Sequence, residues 1–91
     1  MEDPKPATYK VRFTKSAQKD YEGIADLKLK RGVNKIIDKL KEDPYQFKKL
    51  SGPLSLLRAA KTFSFRVLYQ IQDNQLIVLV ISVEHRREVY R

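Results

Sequence analysis

Cysteine is absent and histidine occurs once, as His85. Disulfides and thiolate metal sites are thereby excluded, and so is a histidine-rich zinc centre built from this chain alone. Neither a metal nor a cofactor is expected. Long apolar runs are missing too. The longest, Leu76 to Ile81, has the length of a strand and falls far short of a bilayer span. The opening MEDPKPAT lacks the apolar stretch of a signal peptide, so cytoplasm is the default compartment.

What remains is a small, basic, soluble chain. Its 91 residues suffice for one domain with a modest core. Nineteen Lys and Arg against eleven Asp and Glu give a net charge of +8, which favours nucleic acid or an acidic protein as partner. An anionic membrane fits less well, because the basic segments have no bulky apolar face.

Residues 1–8, with Pro4 and Pro6, read as a flexible leader, and 9–91 as the single domain. Tyr9, Val11 and Phe13 alternate with Lys10 and Arg12 as a first strand. Thr14 is the expected N-cap of a helix from Lys15 to about Leu27, with Gly23 inside it. Val33, Ile36, Ile37 and Leu40 follow helical spacing, which predicts a second helix from Lys30 to Glu42, stopped at Asp43-Pro44. A further strand is expected near Leu57 to Ala60. The short link between the helices predicts a helical hairpin.

The last third reads as a β-hairpin. Phe65, Val67, Tyr69 and Ile71 alternate with Arg66, Leu68, Gln70 and Gln72, and Leu76 to Val83 is apolar on both parities, as in a central strand. A two-residue turn at Asp73-Asn74 would set Gln72 opposite Gln75, Tyr69 opposite Val78 and Arg66 opposite Ile81. Phe65, Val67, Tyr69 and Ile71 would then form the core face with Leu76, Val78 and Val80. Arg66, Leu68 and Gln70 would share the other face with Ile77, Leu79, Ile81 and Val83, joined by His85 if the strand ran on without a bulge. Arg66 thus sits on a mainly apolar face, either for function or as a rim arginine whose charge reaches water. The polar tail from Glu84 to Arg91 holds an imidazole, guanidiniums and a phenol that can handle a phosphate, and it also fits a solvated end.

These residues carry a resemblance. The segment GPLSLLRAAKTFSFRVLYQIQDNQLIVLVISVEHRREVYR is similar to the C-terminal half of the RelE/ParE superfamily of toxins, and YKVRFTKSAQKDYEGI resembles its opening strand and helix. The specific parts are an aromatic-Arg-aliphatic-x-Tyr strand, Phe65 to Tyr69, and a terminal Arg-x-x-Val-Tyr, Arg86 to Tyr90. The resemblance implies an α+β fold of order β-α-α-β-β-β, a two-helix hairpin on one face of a small, mostly antiparallel twisted sheet. It also implies the toxin of a toxin–antitoxin pair, a metal-independent endoribonuclease that cuts messenger RNA on the ribosome and arrests growth by stopping translation. Attack of a ribose 2′-hydroxyl on the adjacent phosphate would leave a 2′,3′-cyclic phosphate and a 5′-hydroxyl.

In that chemistry Arg66 and Arg86 match the family's arginines that stabilise phosphate charge, Tyr90 a tyrosine used as base or stacking platform, and His85 a position where some relatives carry a functional histidine or lysine. Lys61 and Arg58 correspond to basic residues lining the site, and Arg87 would track phosphates. Lys28, Lys35 and Lys39 fall near one face of the second helix, as a ribosomal RNA contact or a solvated face. Expected partners are an acidic, RelB-like antitoxin, messenger RNA and the ribosome, with a monomeric free toxin and a hetero-oligomeric complex.

Two departures stand out. Glu84 replaces a glycine common in relatives, and the turn from Lys61 to Phe65 is one residue longer, which leaves the register of Arg58 open. Two other readings stand beside the ribonuclease: a ParE-like DNA gyrase poison without nuclease activity, and a non-enzymatic basic domain binding RNA or antitoxin.

Overall fold

The computed structural model describes residues 8–62 and 64–86. Its strands are β1 (Lys10–Phe13), β2 (Lys48–Lys49), β3 (Arg58–Lys61), β4 (Phe65–Gln72) and β5 (Ile77–His85), and its helices are α1 (Lys15–Glu22) and α2 (Leu27–Glu42). The sheet order is β1-β5-β4-β3-β2. β1 runs parallel to β5, and every other neighbouring pair is antiparallel. The expected architecture is present, with one strand more than the sequence predicts. Lys48 and Lys49 add an edge to β3, a pairing too short to leave a period in the sequence.

Thr14 caps α1 as expected, its Oγ1 accepting from Ala17 N–H at 3.1 Å. The same hydroxyl donates to Ile81 O at 3.1 Å and so ties the helix start to β5. α1 ends earlier than the sequence predicts. Gly23 is its C-cap rather than an interior residue, donating to Lys19 O at 3.0 Å. Ile24 is buried next to it, and Asp26 begins α2 three residues ahead of the expected start by accepting from Lys28 N–H at 2.8 Å. A strong aspartate cap outweighs the continuing helical spacing.

Val33, Ile36 and Leu40 of α2 and Ala17 of α1 meet Phe65, Val67, Tyr69, Val78, Val80 and Val83 in one core. Burying each Val, Leu or Ile side chain contributes roughly 1.5–3 kcal/mol. Tyr69 is fully enclosed, and its hydroxyl donates to Pro44 O at 2.6 Å, which pins the end of α2 to the sheet.

The β4–β5 hairpin departs from the expected register twice. Asp73–Gln75 form a one-turn 3₁₀ segment closed by Leu76 in the left-handed region (φ 55°), so Gln72 faces Ile77 rather than Gln75. Leu76 is therefore a turn residue, 38% exposed, and not part of the core. Its positive φ costs about 1–2 kcal/mol for a residue with a Cβ.

A bulge between Leu68 and Tyr69 is the second departure. Tyr69 faces Val80 but Leu68 faces Ser82, so Ile81 is the extra residue. Its physical cause lies in the polar residues of β5. Regular alternation from Val80 would turn Ser82 and Glu84 into the core, where an unpaired carboxylate is costly. The bulge sends Val83 inward instead, buried opposite Val67.

Candidate active site on the open sheet face

The bulge decides which side chains can meet. After it, Arg66 faces Glu84 and Phe65 faces His85. The expectation of Arg66 opposite Ile81, with Val83 and His85 on the same face, is corrected accordingly. His85 lies on the helix side, its ring 4.4 Å from that of Phe65. It borders a concavity of about 630 Å³ between α1 and the end of β5, lined also by Lys19, Asp20 and Ile24. Asp20 there accepts from Val83 N–H at 3.1 Å, satisfying strand backbone beyond the end of β1.

Arg66 is an ion-paired arginine. Its Nη2 lies 2.7 Å and its Nε 3.2 Å from Glu84 Oε1, and Ser82 Oγ donates to Glu84 Oε2 at 3.1 Å. Both side chains keep substantial contact with water, at 36% and 41% exposure. Cross-strand pairing makes Lys61 the neighbour of Arg66 on β3. Beyond Lys61, a groove of about 230 Å³ runs to the sheet edge between Arg66, Ala59, Ser51, Lys48 and Lys49. Sequence reasoning did not place these two lysines beside Arg66; Lys48 pairs with Ala59 of the open face, while Lys49 pairs with Arg58 and reaches the groove at the sheet edge. The available signal was a Lys-Lys pair between Phe47 and Leu50, which fits a short charged edge strand.

Arg86 follows two residues after Glu84 at the same end of the sheet. Its backbone N–H donates to Ser64 O at 2.8 Å and its Nη1 to Thr62 O at 2.9 Å. The β3–β4 turn that receives it is shaped by Thr62, whose Oγ1 accepts from Ser64 and Phe65 N–H. Arg66, Lys61 and Arg86 therefore gather at one end of β3, β4 and β5. Tyr90 and Arg87 lie outside the described residues.

Arg58 does not join them. It pairs with the core residue Tyr69, three positions from Lys61 and so on the opposite face. Its guanidinium donates to Phe47 O at 2.8 Å and lies 5.0 Å from the Tyr45 ring centroid. Lys28, Lys35 and Lys39 are exposed on α2, across the sheet from Arg66. They form a separate basic surface.

Three tyrosines are tuned away from ionisation. A hydrogen bond to Asp73, with lesser help from burial, pushes Tyr9 up to about 12. Burial pushes Tyr69 to about 12 against the opposing pull of Arg58, and Tyr45 is raised by burial and by Asp73. All three lie away from the Arg66 groove.

The family model for the ParE toxin of type II toxin-antitoxin system, parDE, matches residues 11–90. The chain belongs to the RelE/ParE toxin superfamily. This toxin is 31% identical over 84 residues to toxin RelG of Mycobacterium tuberculosis, covering 91% of this chain and 97% of that one. Its fold is similar to the toxin in the RelBE2 toxin–antitoxin complex of M. tuberculosis, with a TM-score of 0.80 and 29% identity over 92% of this chain and 98% of the other. The isolated E. coli RelE toxin matches with a TM-score of 0.73 and 26% identity, over 90% of each chain. The intact E. coli RelBE complex matches at 0.72 and 25%, over 84% of this chain and 94% of that one. Two helices on a five-stranded, mostly antiparallel open sheet thus match the fold of these RelE-like neighbours.

Proposed function

We propose that this toxin is a ribosome-dependent endoribonuclease that cleaves messenger RNA and so halts translation and growth. The observation that carries the proposal is the gathering of Arg66, Lys61 and Arg86 at one end of the sheet, beside a lysine-lined groove. Cleavage by 2′-hydroxyl attack concentrates negative charge on the equatorial phosphate oxygens. Fixed guanidinium and ammonium donors stabilise that charge more in the transition state than in the ground state. Arg66 and Arg86 are the proposed phosphate ligands, with Lys61, Lys48 and Lys49 guiding the backbone. Tyr90 keeps its proposed role as stacking platform or proton carrier. His85, facing α1, is a weaker candidate for the reaction than the sequence suggests.

The partner of the free toxin is proposed to be an acidic, RelB-like antitoxin, as the relatives solved as RelBE complexes suggest. Its target would be the open face, where Ile77, Leu79 and Ile81 of β5 stay half-buried on the same side of the sheet as Arg66.

The test is to add purified protein to translating ribosomes and map message ends by primer extension. New 5′-hydroxyl ends in translated messages, persisting in EDTA, are expected. Efficient cutting of naked RNA, or loss of activity on chelation, would count against the mechanism. Intact messages with DNA breakage would move the assignment to a gyrase poison.

A further inference from the structure

We infer that Glu84 is the general base of the proposed reaction, taking the 2′-hydroxyl proton while its ion-pair partner Arg66 holds the scissile phosphate. This rests on the ribonuclease reading and adds the atom that accepts the proton. Glu84 is the register partner of Arg66, with Oε1 2.7 Å from Nη2. Arg66 and Ser82 supply three donors to a carboxylate that offers about four acceptor positions. A lone pair stays open. Arg66 turns Nε and Nη2 toward Glu84, which leaves the Nη1 side of the guanidinium for a phosphate oxygen. A phosphate held there stands next to the carboxylate, where a neighbouring ribose can meet both groups.

The groove's own lysines, Lys48, Lys49 and Lys61, are the other side chains on hand that general-base chemistry uses. The groove is lined by Lys48, Lys49, Leu50, Ser51, Ala59, Lys61 and Arg66, none of which carries a carboxylate or an imidazole. His85 is turned to the other face by the bulge, and Tyr9, Tyr45 and Tyr69 lie elsewhere. Among the described residues, Glu84 is the carboxylate beside Arg66.

In the proposed step the Glu84 carboxylate takes the proton of the 2′-hydroxyl as the 2′-oxygen bonds to phosphorus. The bond from phosphorus to the 5′-oxygen breaks with its electron pair on that oxygen, which takes a proton from water. Glu84 then returns its proton to the hydroxide so formed. The products are a 2′,3′-cyclic phosphate and a 5′-hydroxyl.

The experiment compares single-turnover cleavage on translating ribosomes, with ribosome binding followed separately by sedimentation. Glu84→Gln keeps an oxygen for Arg66 but cannot accept the proton. It should bind ribosomes normally and cut about 100-fold or more slowly, the usual scale of a lost general base. Glu84→Asp should lose less. Glu84→Gly leaves room for a small carboxylate, so added formate should restore part of its cleavage and should not help Glu84→Gln. A Gln variant cutting as fast as wild type, or faster, overturns the inference and makes Glu84 a neutralising partner of Arg66. Slow cutting by Gln with no formate rescue of Gly also overturns it, in favour of a residue that only positions Arg66. Loss of activity in Tyr90→Phe while Glu84→Gln retains it assigns the base to Tyr90. Wild-type protein that leaves translated messages intact overturns the ribonuclease reading itself, and this inference with it.

Discussion

In the proposed reaction Arg66 is the central phosphate ligand, and its neighbours set what its removal should cost. It reaches the open face beside Glu84, whereas Lys61 stands one strand away and is more exposed. Arg66→Ala should lower message cleavage by roughly 100-fold or more, as for a well-placed transition-state donor. Lys61→Ala should cost less, and equal losses would place the phosphate between them. Tyr69 governs stability rather than chemistry. Its phenol is proton-bound and raised to about 12 by burial, so the folded state holds that proton more tightly than the unfolded chain does. This contribution is fully present below the ordinary value of 10.0 and is lost as pH rises through about 12. At about 1.4 kcal/mol per pKa unit, the loss is roughly 2–3 kcal/mol. Tyr69→Phe should cost about 1–2 kcal/mol at neutral pH, because Pro44 O loses its donor, yet flatten the alkaline fall. Denaturant unfolding from about pH 8 to 11.5 checks this. An equally steep fall in the variant would move the effect to another group, such as Tyr9.

At the scale of elements, the strand β5 and the helix α2 raise different questions. β5 was legible as a central strand because its apolar run occupies both parities. Its bulge was harder to read, although Ser82-Val83-Glu84 carries the cue: the polar residues change phase with respect to Val80. Two-residue turn chemistry at Asp73-Asn74 competed with the 3₁₀ turn actually formed, which Leu76 N–H closes by donating to Asp73 O at 3.1 Å. In α2 the apolar stripe was read correctly, while Lys28, Lys35 and Lys39 face solvent away from the Arg66 groove. A docking role for them predicts a specific separation of effects. Replacing all three by Ala should weaken ribosome association and reduce its log–log salt slope by roughly 0.7–0.9 for each phosphate no longer neutralised. Replacing Lys48 and Lys49 should instead slow cleavage at saturating ribosome. An unchanged salt slope in the triple variant would assign the α2 lysines to a solvated face.

Among the described residues, the two helices pack on one face of the sheet, and the other face is the proposed partner surface. On the open face Leu68 is 9% exposed while Ile77, Leu79 and Ile81 are half-buried, and the exposed large apolar side chains include Leu54 and Leu56 in the nearby loop. An acidic amphipathic segment suits this mixture of apolar strand and basic rim. Binding of the co-expressed product of the neighbouring small reading frame should slow hydrogen exchange along β2 and the loop after it. The complex should weaken in high salt and on replacement of Lys48, Lys49 and Lys61. Full-strength binding after those changes would place the antitoxin on another surface.

The sequence by itself determined the helix stripes, the cap at Thr14, the helix stop at Asp43-Pro44, the alternation of β4 and the family-matching motifs around Arg66 and Arg86, because each is written in spacings of a few residues. It also marked Glu84 as unusual without saying what it touches. The tertiary structure alone decided which residues share a face. The parallel seat of β1 on β5, the edge pairing of Lys48–Lys49 and the extra residue Ile81 are contacts between distant segments. One extra residue in a strand inverts every side chain beyond it. That inversion buries Val83, sends His85 to Phe65 and brings Glu84 to Arg66.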